Sequence, residues 1–360
     1  MQTVSATIHL AFAFDVGYEI DLDGARALLS AEDGTLPRRK RTPESIRYRP
    51  APLRLAVDPA GITLPRGLES VASPRAELSL FDFGALSLMV HVPVCGTLEE
   101  ISSAVSELAD PTEITEAARA IVAPWIRRLV PAIIGYEWSA LSEEYIVVQL
   151  GEVGPNWLHE HASWVAGLLR LEPGALSPEE VAEATRLSIS YAPNDLVVLD
   201  WAAALVADRD CADTLQVIEF ANVQLLEFRH IDDRLDDRLE AAYRLIRRDR
   251  PRGKLRLPWR THEEAVRNVR ELEIEATSLF ERADNALKLI GDQYLSRVYA
   301  LVSTRFHLGE WQQSIRRKLD TVGDVYDLLV QQAGGTRMEV LEIIVVVLIA
   351  LEIVLAVVRH

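Results

Sequence analysis

Residues 212–246 read ADTLQVIEFANVQLLEFRHIDDRLDDRLEAAYRLI, and the regularity of this segment sets the architecture of the chain. Apolar side chains such as Leu215, Ile218 and Leu225 recur along it every three or four positions. This spacing predicts one helix of about 35 residues with a single apolar face, because an α-helix completes a turn every 3.6 residues. Such a helix is about three times longer than the average in globular proteins. The chain is therefore expected to change here from a mixed domain to a long-helix module.

Upstream of the long helix, short strand-like runs alternate with helical runs. Helices are predicted at 22–30, at 97–130 with a break near Pro111, and at 157–169. Alternating or continuously apolar runs predict strands at 4–14, 47–57, 78–83, 85–92, 145–150, 187–191 and 196–206. Strands and helices that intermingle in this way predict an α+β fold, with an N-terminal mixed α/β domain over residues 1–206.

Downstream of the long helix, the helical pattern continues without strand-like runs. After a linker rich in Pro, Arg and Gly, Thr261 with Glu264 three positions later predicts a capped helix. Two further helices are predicted around 294–299 and over 311–326. Long helices joined in sequence predict an antiparallel, coiled-coil-like bundle over residues 207–337.

Residues 340–358, VLEIIVVVLIALEIVLAVV, are apolar except for Glu342 and Glu352. At a rise of 1.5 Å per helical residue this run reaches about 28 Å, close to the roughly 30 Å hydrocarbon thickness of a bilayer. It predicts a hydrophobic, membrane-spanning helix within residues 338–360 that acts as a tail anchor. The basic residues that precede it predict that the bulk of the chain stays on the cytoplasmic side of the cell membrane.

The two glutamates of the apolar run restrict the surroundings in which a helix formed by this run can lie. An ionised carboxylate at this depth costs on the order of 2.5 to 3.5 kcal/mol on insertion. Helical geometry places both carboxylates on one stripe, about a quarter of a turn wide. The stripe consists of Glu342, Val345, Ile349, Glu352 and Ala356. We expect it to face protein in a homo-oligomer, either in the membrane or as a shared apolar core of a soluble assembly.

Composition and charge exclude several classes of protein. The 360-residue chain is 49% apolar and carries a net charge of −16, which allows a sizeable core and argues against DNA binding. Cys95 and Cys211 have no closely spaced partners, so neither a disulfide framework nor a structural zinc site is expected. Residues 1–14 alternate like a strand and carry no basic residue, so no signal peptide is expected.

Two basic islands interrupt this acidic chain. Residues 38–54 contain seven basic residues and one acid, and residues 244–260 contain eight and one. They are compatible with contacts to RNA phosphates, with attraction to an anionic membrane, or with pairing to acidic residues within a homo-oligomer. The side chains proposed for such an anionic-partner surface are Arg38, Arg39, Lys40, Arg41, Arg247, Arg248, Arg250, Arg252, Lys254 and Arg256.

Two short clusters have some features of a metal site. His159 and His161 are two positions apart, which on a helix places them on different faces and favours a polar helix face over a zinc site. Asp232 and Asp236 are one helical turn apart and could hold a divalent ion. Neighbouring arginines such as Arg229 instead favour a self-paired, solvated helix face. No metal site and no cofactor are therefore predicted.

Sequence motifs of enzymes are not found. The run 151–155 contains two glycines but not the lysine and hydroxyl residue of a phosphate loop. No dinucleotide-binding glycine pattern and no nucleophile elbow occur elsewhere in the sequence. The sequence therefore favours a non-enzymatic protein without catalytic residues.

Several segments, taken in order, match a known family. They are FDFG at 81–84, IEFANVQLLE at 218–227, NALKLIGDQY at 285–294, Trp311 with Lys318 and Leu319, and Leu341 and Glu342 with LIALE at 348–352. The chain resembles the "required for meiotic nuclear division" family, also called the YagE or sporulation-protein Rmd type, as a bacterial-type member. The resemblance covers roughly residues 78 to 356.

This resemblance implies an α+β domain followed by long helices and a membrane-seeking C-terminal segment. It also implies homo-oligomers and, through mitochondrial relatives, a link to the inner membrane and to organellar translation. The family provides no catalytic residues to transfer. Three functions follow as hypotheses: a membrane-tethered scaffold or adaptor, a soluble homo-oligomer, and an RNA- or ribosome-associated factor.

Overall fold

The computed structural model describes residues 3–29, 50–62, 69–247, 274, 276–278, 280–281 and 293–325. The chain divides into two compact units. The first lies within Met1–His230 and Leu279–Trp311, and the second within Ile231–Ser278 and Gln312–His360. The first unit contains a large sheet with helices on both faces, and the described residues of the second unit are helical.

The strands of the first unit are mostly short, and two of them have twelve residues. The strands are β1 (Val4–Asp15), β2 (Glu19–Ile20), β3 (Leu53–Val57), β4 (Glu69–Ser70), β5 (Arg75–Leu80), β6 (Ala85–Gly96), β7 (Ile133–Ile134), β8 (Ser142–Leu150), β9 (Ser188–Ile189), β10 (Leu196–Leu199) and β11 (Ala203–Ala207).

Nine of these strands form one sheet with the order β3-β5-β6-β1-β8-β11-β10-β9, in which β4 also pairs with β6. Neighbouring strands are antiparallel except β8 and β11, which are parallel. The central strand is β1, which is hydrogen-bonded over most of its length on both sides. The short strands β2 and β7 form a separate ribbon.

The helices precede, connect and follow the strands. They are α1 (Leu22–Leu28), α2 (Leu98–Ser106), α3 (Thr112–Leu129), α4 (Trp157–Glu160), α5 (Ala162–Arg170), α6 (Pro178–Ala184), α7 (Ala212–Arg247) and α8 (Gln293–Arg305). Residues 276–278, 280–281 and 308–325 are also helical. The start of α2 is fixed by a capping box, in which Thr97 and Glu100 each bond the other's backbone nitrogen.

The first face of the sheet is covered by α1, α2, α3 and α5. Alternate residues of β1 point towards these helices, and Ile8, Leu10, Phe12 and Phe14 are all buried there. Neighbouring strands contribute Leu, Ile and Val side chains to the same core. Each fully buried side chain of this size contributes about 1.5 to 3 kcal/mol, so burial of apolar surface dominates the stability of this face.

The second face combines buried apolar side chains with a row of small residues between two charges. One row of paired residues crosses five strands in the order Arg54, Ser79, Ser87, Ala13 and Glu143. The three central side chains are small and buried, which leaves room for a helix to lie close to the sheet. The part of α7 that belongs to the first unit packs here, and both flanking charges bind it.

The turn between β5 and β6 requires glycine. Gly84 has a φ of +93°, and a Cβ atom at this position would lie 1.7 Å from the carbonyl oxygen of Gly17. Only glycine fits both the left-handed conformation and this close approach. The sequence prediction of a break between two strands at this residue is confirmed.

Most element predictions for the first half of the chain are confirmed. The predicted long helix at 212–246 is α7, and the predicted helix break near Pro111 separates α2 from α3. One prediction was wrong. The predicted strand at 196–206 is two antiparallel strands, β10 and β11, that are joined by a turn after Leu199. The helix α6 was not predicted.

The architecture is α+β, with a large N-terminal sheet followed by helices. In the part of the chain that the structure describes, no helix is both long and apolar enough to cross a bilayer. The apolar run at 340–358 and the predicted cap at Thr261 lie outside the described residues.

Candidate functional site

The buried charged and polar side chains of the described residues concentrate on the second face of the sheet and at its edge. They come from the strands under α7, from α7 and α8 themselves, and from the turn after β10. These residues are His9, Asp15, Ser79, Ser87, Glu143, Asp200, Thr214, Glu219, Asn222, Gln224, Glu227 and Arg305. Buried polar groups need partners, so their contacts define what this face can do.

One flank of the row binds α7 through Arg54. Its Nη2 donates a hydrogen bond to Glu219 Oε2 at 2.8 Å, and its Nη1 lies 3.5 Å from Glu77 Oε2. The Glu219 side chain is 3% exposed, so this contact is shielded from water on the helix side. Arg54 belongs to the first basic island by sequence, and the structure places it in a pair within the first unit.

The other flank binds α7 through Glu143. Its carboxylate pairs with Arg229, and its backbone oxygen accepts a hydrogen bond from Asn222 Nδ2 at 3.3 Å. Burial raises the pKa of Glu143 from 4.5 to about 7, and the attraction of Arg229 only partly opposes this shift. A carboxyl group that titrates near neutrality is a feature of acid–base sites, although structural networks produce it as well.

Asp15 and His230 form a neighbouring pair. Asp15 ends β1 on the same face as Glu143, and His230 follows Arg229 in α7. Their oxygen and Nε2 atoms are 3.7 Å apart, and both side chains are largely buried. Adjacent positions of α7 therefore bind two acids on neighbouring strands, which fixes the rotation of the helix on the sheet.

A chain of hydrogen bonds crosses β6, β1 and β8 through two histidines. His9 Nε2 is 3.1 Å from Gln149 Oε1, and His9 Nδ1 is 2.6 Å from His91 Nδ1. The Gln149 amide nitrogen donates to the Asp208 carbonyl, which leaves its oxygen to accept from His9 Nε2–H. His9 Nδ1 then accepts from His91. Burial, followed by the proximity of His91, lowers the pKa of His9 to about 3, so His9 is neutral at physiological pH.

Asp200 joins the helices of the two faces at the edge of the sheet. It is fully buried, and its two carboxylate oxygens each lie 2.8 Å from an arginine, Arg305 of α8 and Arg170 of α5. Its backbone oxygen accepts a hydrogen bond from Tyr145 at 2.7 Å. Burial raises the pKa of Asp200 in spite of the two cations. Glu180 and Glu183 of α6 pair with the same two arginines, so each cation lies between acids, as expected of a structural cluster.

In the second unit, the predicted Asp232 and Asp236 pair holds a cation from the chain itself. Lys318 Nζ lies 2.8 Å from Asp232 Oδ1 and 2.7 Å from Asp236 Oδ1. Burial disfavours the charged lysine, but hydrogen bonds to the two aspartates outweigh it and raise the pKa of Lys318. The ammonium group occupies the position between the carboxylates that a divalent ion would need.

The histidines at 159 and 161 are separated by a helix boundary. His161 stacks on Trp157 with ring centroids 4.4 Å apart, and its Nδ1 is 2.9 Å from the Trp157 carbonyl oxygen. The nearby Trp164 donates its indole N–H to the Leu98 carbonyl. Packing therefore accounts for His161. Within the described ranges, no group of three or more His, Cys, Asp or Glu side chains could hold a metal ion.

Nearly all of the residues predicted to contact partners lie outside the described residues. The stripe Glu342, Val345, Ile349, Glu352 and Ala356 lies outside the described residues, as do Arg38 to Arg41 and the basic positions from 248 to 256. Arg247 is the last residue of α7. These assignments stay predictions.

Sequence reasoning missed the partners of the charged residues on the second face, and its prediction that Arg229 pairs with aspartates along the same helix was wrong, because Arg229 binds Glu143. Arg54 and Glu219 are 165 positions apart in the chain, and Glu143 and Arg229 are 86 apart. A weak signal existed in β8, where Glu143 and Glu144 directly precede the apolar run of the strand. A charge in a buried strand implies a partner, but the sequence does not reveal which one.

The arrangement as a whole ties α7 and α8 to the sheet by pairs of opposite charge. Glu143 has the shifted pKa that an acid–base group needs, yet its carboxylate is bound to Arg229. His9 and Asp200 are likewise bound to neighbours within the first unit. Chemically, this face can hold a helix in one register and respond to pH.

Comparison with known proteins places this sheet in a family. The family described as "Uncharacterized protein MJ0711, N-terminal domain" matches residues 5–214, from β1 to the first turn of α7. The uncharacterized protein MJ0711 of Methanocaldococcus jannaschii is 27% identical over 203 residues, which is 56% of this chain. The matched region spans 61% of that relative's length. No solved structure matches the chain. The chain belongs to the family defined by the N-terminal domain of uncharacterized protein MJ0711.

Proposed function

We propose that this chain is a non-enzymatic, self-associating scaffold or adaptor that is held at the cytoplasmic membrane by residues 340–358. The observation that carries the proposal is the apolar run itself, whose only charged residues, Glu342 and Glu352, share one helical stripe. A run of this length fits a bilayer, and a stripe with two acids favours contact with protein rather than lipid.

The described domain supports a scaffold more than an enzyme. Its most strongly shifted ionisable groups include His9 and Glu143, which are buried and bound by other side chains of the first unit. Perturbed pKa values of this kind arise in structural networks as well as in active sites. The contacts of these groups hold helices on the sheet, which suits a rigid domain that presents surfaces to partners.

The likeness to the "required for meiotic nuclear division" family is part of the same proposal. Its most regular motif, at 285–294, and its motif at 341–352 lie largely outside the described residues. The relationship would explain a membrane address, homo-oligomers and, through relatives, a link to translation. No role for any particular residue is transferred from it.

Membrane fractionation of the full-length chain tests the proposal. We expect the protein to sediment with membranes, to stay there in high salt and to be released by detergent, because apolar burial holds it. The same chain without residues 338–360 is expected in the soluble fraction. Release of the full-length protein by high salt alone would point to electrostatic attachment and contradict a spanning segment.

Two further results would favour the other hypotheses. A full-length chain that stays in solution without detergent, as a defined oligomer by light scattering, would support a soluble assembly with a shared apolar core. Nucleic acid that copurifies and is lost as salt rises would support an RNA-associated role for the basic islands. A matched variant has Arg250, Arg252 and Lys254 replaced by Gln. If this variant no longer retains nucleic acid, the second basic island is the segment that binds it.

A further inference from the structure

Half of the exposed large apolar side chains in the described ranges come from one corner of the first unit, where α1 follows the β2–β7 ribbon and Asp21 N–H donates to the Ala132 carbonyl at 2.9 Å. Of eight such residues, four are at this corner: Tyr18 at 38%, Leu28 at 39%, Ile134 at 54% and Tyr136 at 43% exposure. They come from α1, from the β2–β7 ribbon and from the residues beside that ribbon. Apolar residues that are exposed singly are ordinary, but a concentration of them on one surface marks a contact site.

The ribbon presents three of these side chains on a firmly held backbone. Tyr18 N–H donates to the Ile134 carbonyl at 2.9 Å, and Glu137 N–H donates to the Val16 carbonyl at 3.1 Å. Gly135, with a φ of +64°, lies so close to Tyr18 that an added Cβ would be 3.2 Å from the tyrosine Cβ. A surface fixed in this way loses little conformational entropy when it binds.

Opposite charges border the two ends of this surface. Glu19 pairs with Ile134 in the ribbon, and Glu137 follows Tyr136, so exposed acids stand beside the tyrosines. At the other end, Arg128 Nη2 donates to the Leu28 carbonyl at 3.2 Å, and Arg127 is exposed next to it at the end of α3. The surface is therefore acidic at its ribbon end and basic at its helix end.

We propose that this corner is a two-fold self-association surface whose occupant is the same corner of a second copy. A two-fold axis brings identical patches together in opposite directions, so each charge type on one copy meets the other type on its partner. Apolar and aromatic residues at the centre with charges at the rim are the usual anatomy of a protein interface. This inference rests on the self-association in the proposed function and assigns it a location outside residues 340–358.

Replacement of the central apolar residues tests the surface directly. The double variant Ile134→Ser and Tyr136→Ser removes two exposed side chains that the fold does not need. We expect the dissociation constant of the full-length protein in detergent, measured by analytical ultracentrifugation, to rise on the order of a hundredfold, since both copies lose their anchors.

The matched control removes the same kinds of side chain elsewhere. Val71 and Tyr191 are 63% and 78% exposed and do not belong to this corner. The variant Val71→Ser with Tyr191→Ser is expected to self-associate like the wild type. Equal weakening by both double variants, or by neither, would overturn the proposal.

Charge reversal tests the two-fold arrangement. Glu137→Arg and Arg127→Glu are each expected to weaken self-association on the order of tenfold, because each places like charges opposite one another at both ends. The double variant restores opposite charges across the axis and is expected to recover most of the affinity. Additive weakening in the double variant would exclude a two-fold pairing of these ends.

Failure of this inference can be told apart from failure of the proposed function. If residues 340–358 alone drive self-association, the corner variants behave like wild type in ultracentrifugation while the protein still sediments with membranes. If the chain neither sediments with membranes nor self-associates, the proposed function fails as well. A far-ultraviolet circular dichroism spectrum like that of the wild type confirms that each variant is folded.

Discussion

The two faces of the sheet are stabilised by different means. On the first face, large apolar side chains such as Phe12 and Phe14 fill the space under four helices. On the second, small residues such as Ala13 admit α7, and the charged flanks Arg54 and Glu143 bind it. Apolar burial has no preferred direction, whereas ion pairs and hydrogen bonds do. Apolar burial stabilises both faces, and on the second face the directional contacts also determine where the long helix lies.

The largest expected effect comes from the first face. Phe12 is 1% exposed in the middle of the central strand. Phe12→Ala is expected to lower the free energy of unfolding by about 3 to 5 kcal/mol, because it removes apolar contacts and leaves a cavity. Denaturant unfolding measures this, with Val71→Ala as an exposed apolar control that should stay within about 0.5 kcal/mol. A loss below about 1 kcal/mol would show that the two faces differ less than we infer.

The next largest effect is expected at Asp200, the residue that joins the helices of both faces. Asp200→Ala removes the nearest carboxylate from the buried Arg305, which keeps only the longer contact to Glu183, and is expected to cost about 3 kcal/mol. Replacing the pair together, by Asp200→Leu with Arg305→Met, should recover part of that loss, since buried ion pairs are often no better than apolar contacts. Unfolding in denaturant compares the two variants. A double variant less stable than the single would contradict this account.

A smaller effect is expected from overfilling the second face. Ala13 follows Phe12 in β1 and is fully buried in the row under α7. Ala13→Leu is expected to destabilise by about 1 to 3 kcal/mol, because α7 must shift away from the sheet. Ser5→Leu, on the same strand but at an exposed position, is the control and should have little effect. If the two variants lost the same free energy of unfolding, α7 would not need to lie close to the sheet at Ala13.

The last expected effect is a dependence of stability on pH. The pKa of Glu143 is raised by burial from 4.5 to about 7, so the folded chain binds a proton more tightly than the unfolded chain. Between these values the contribution of Glu143 to the free energy of unfolding falls as pH rises, by at most a few kcal/mol. The variant Glu143→Gln has no carboxyl group at this position, so this contribution to the pH dependence is absent from it.

The test is a series of unfolding curves across this pH range. We expect the wild type to lose stability relative to Glu143→Gln from about pH 4.5 to about pH 7, and the difference to become constant above that. Arg229→Gln should enlarge the loss, because Arg229 opposes the shift in pKa. Parallel curves for wild type and Glu143→Gln would refute the raised pKa.

Local patterns predicted the elements but not the contacts of the second face. The helix α7 was found from its period alone, since its apolar residues repeat for 36 positions. The turn at Asp200 was missed because apolar residues on both sides resemble one continuous strand. Asp200 itself was the available signal, as a charge inside such a run needs either a turn or a partner.

The candidate site was beyond the reach of sequence patterns for a geometric reason. Arg54, Glu143 and Asp15 each have a partner on α7 that is more than eighty positions away in the chain. Register across five strands brings them together, and register depends on every turn in between. The residues predicted for membrane and partner contacts lie almost entirely outside the described residues.

The central position of β1 has a consequence for synthesis on the ribosome. Its partners β6 and β8 end at Gly96 and Leu150, so they are translated long after β1 itself. At about 5 to 20 residues per second, β1 waits on the order of ten seconds for its second neighbour. Until β6 is complete, a strand with Leu10, Phe12 and Phe14 has no neighbour to pair with, and we expect it to be a site where chaperones engage the nascent chain.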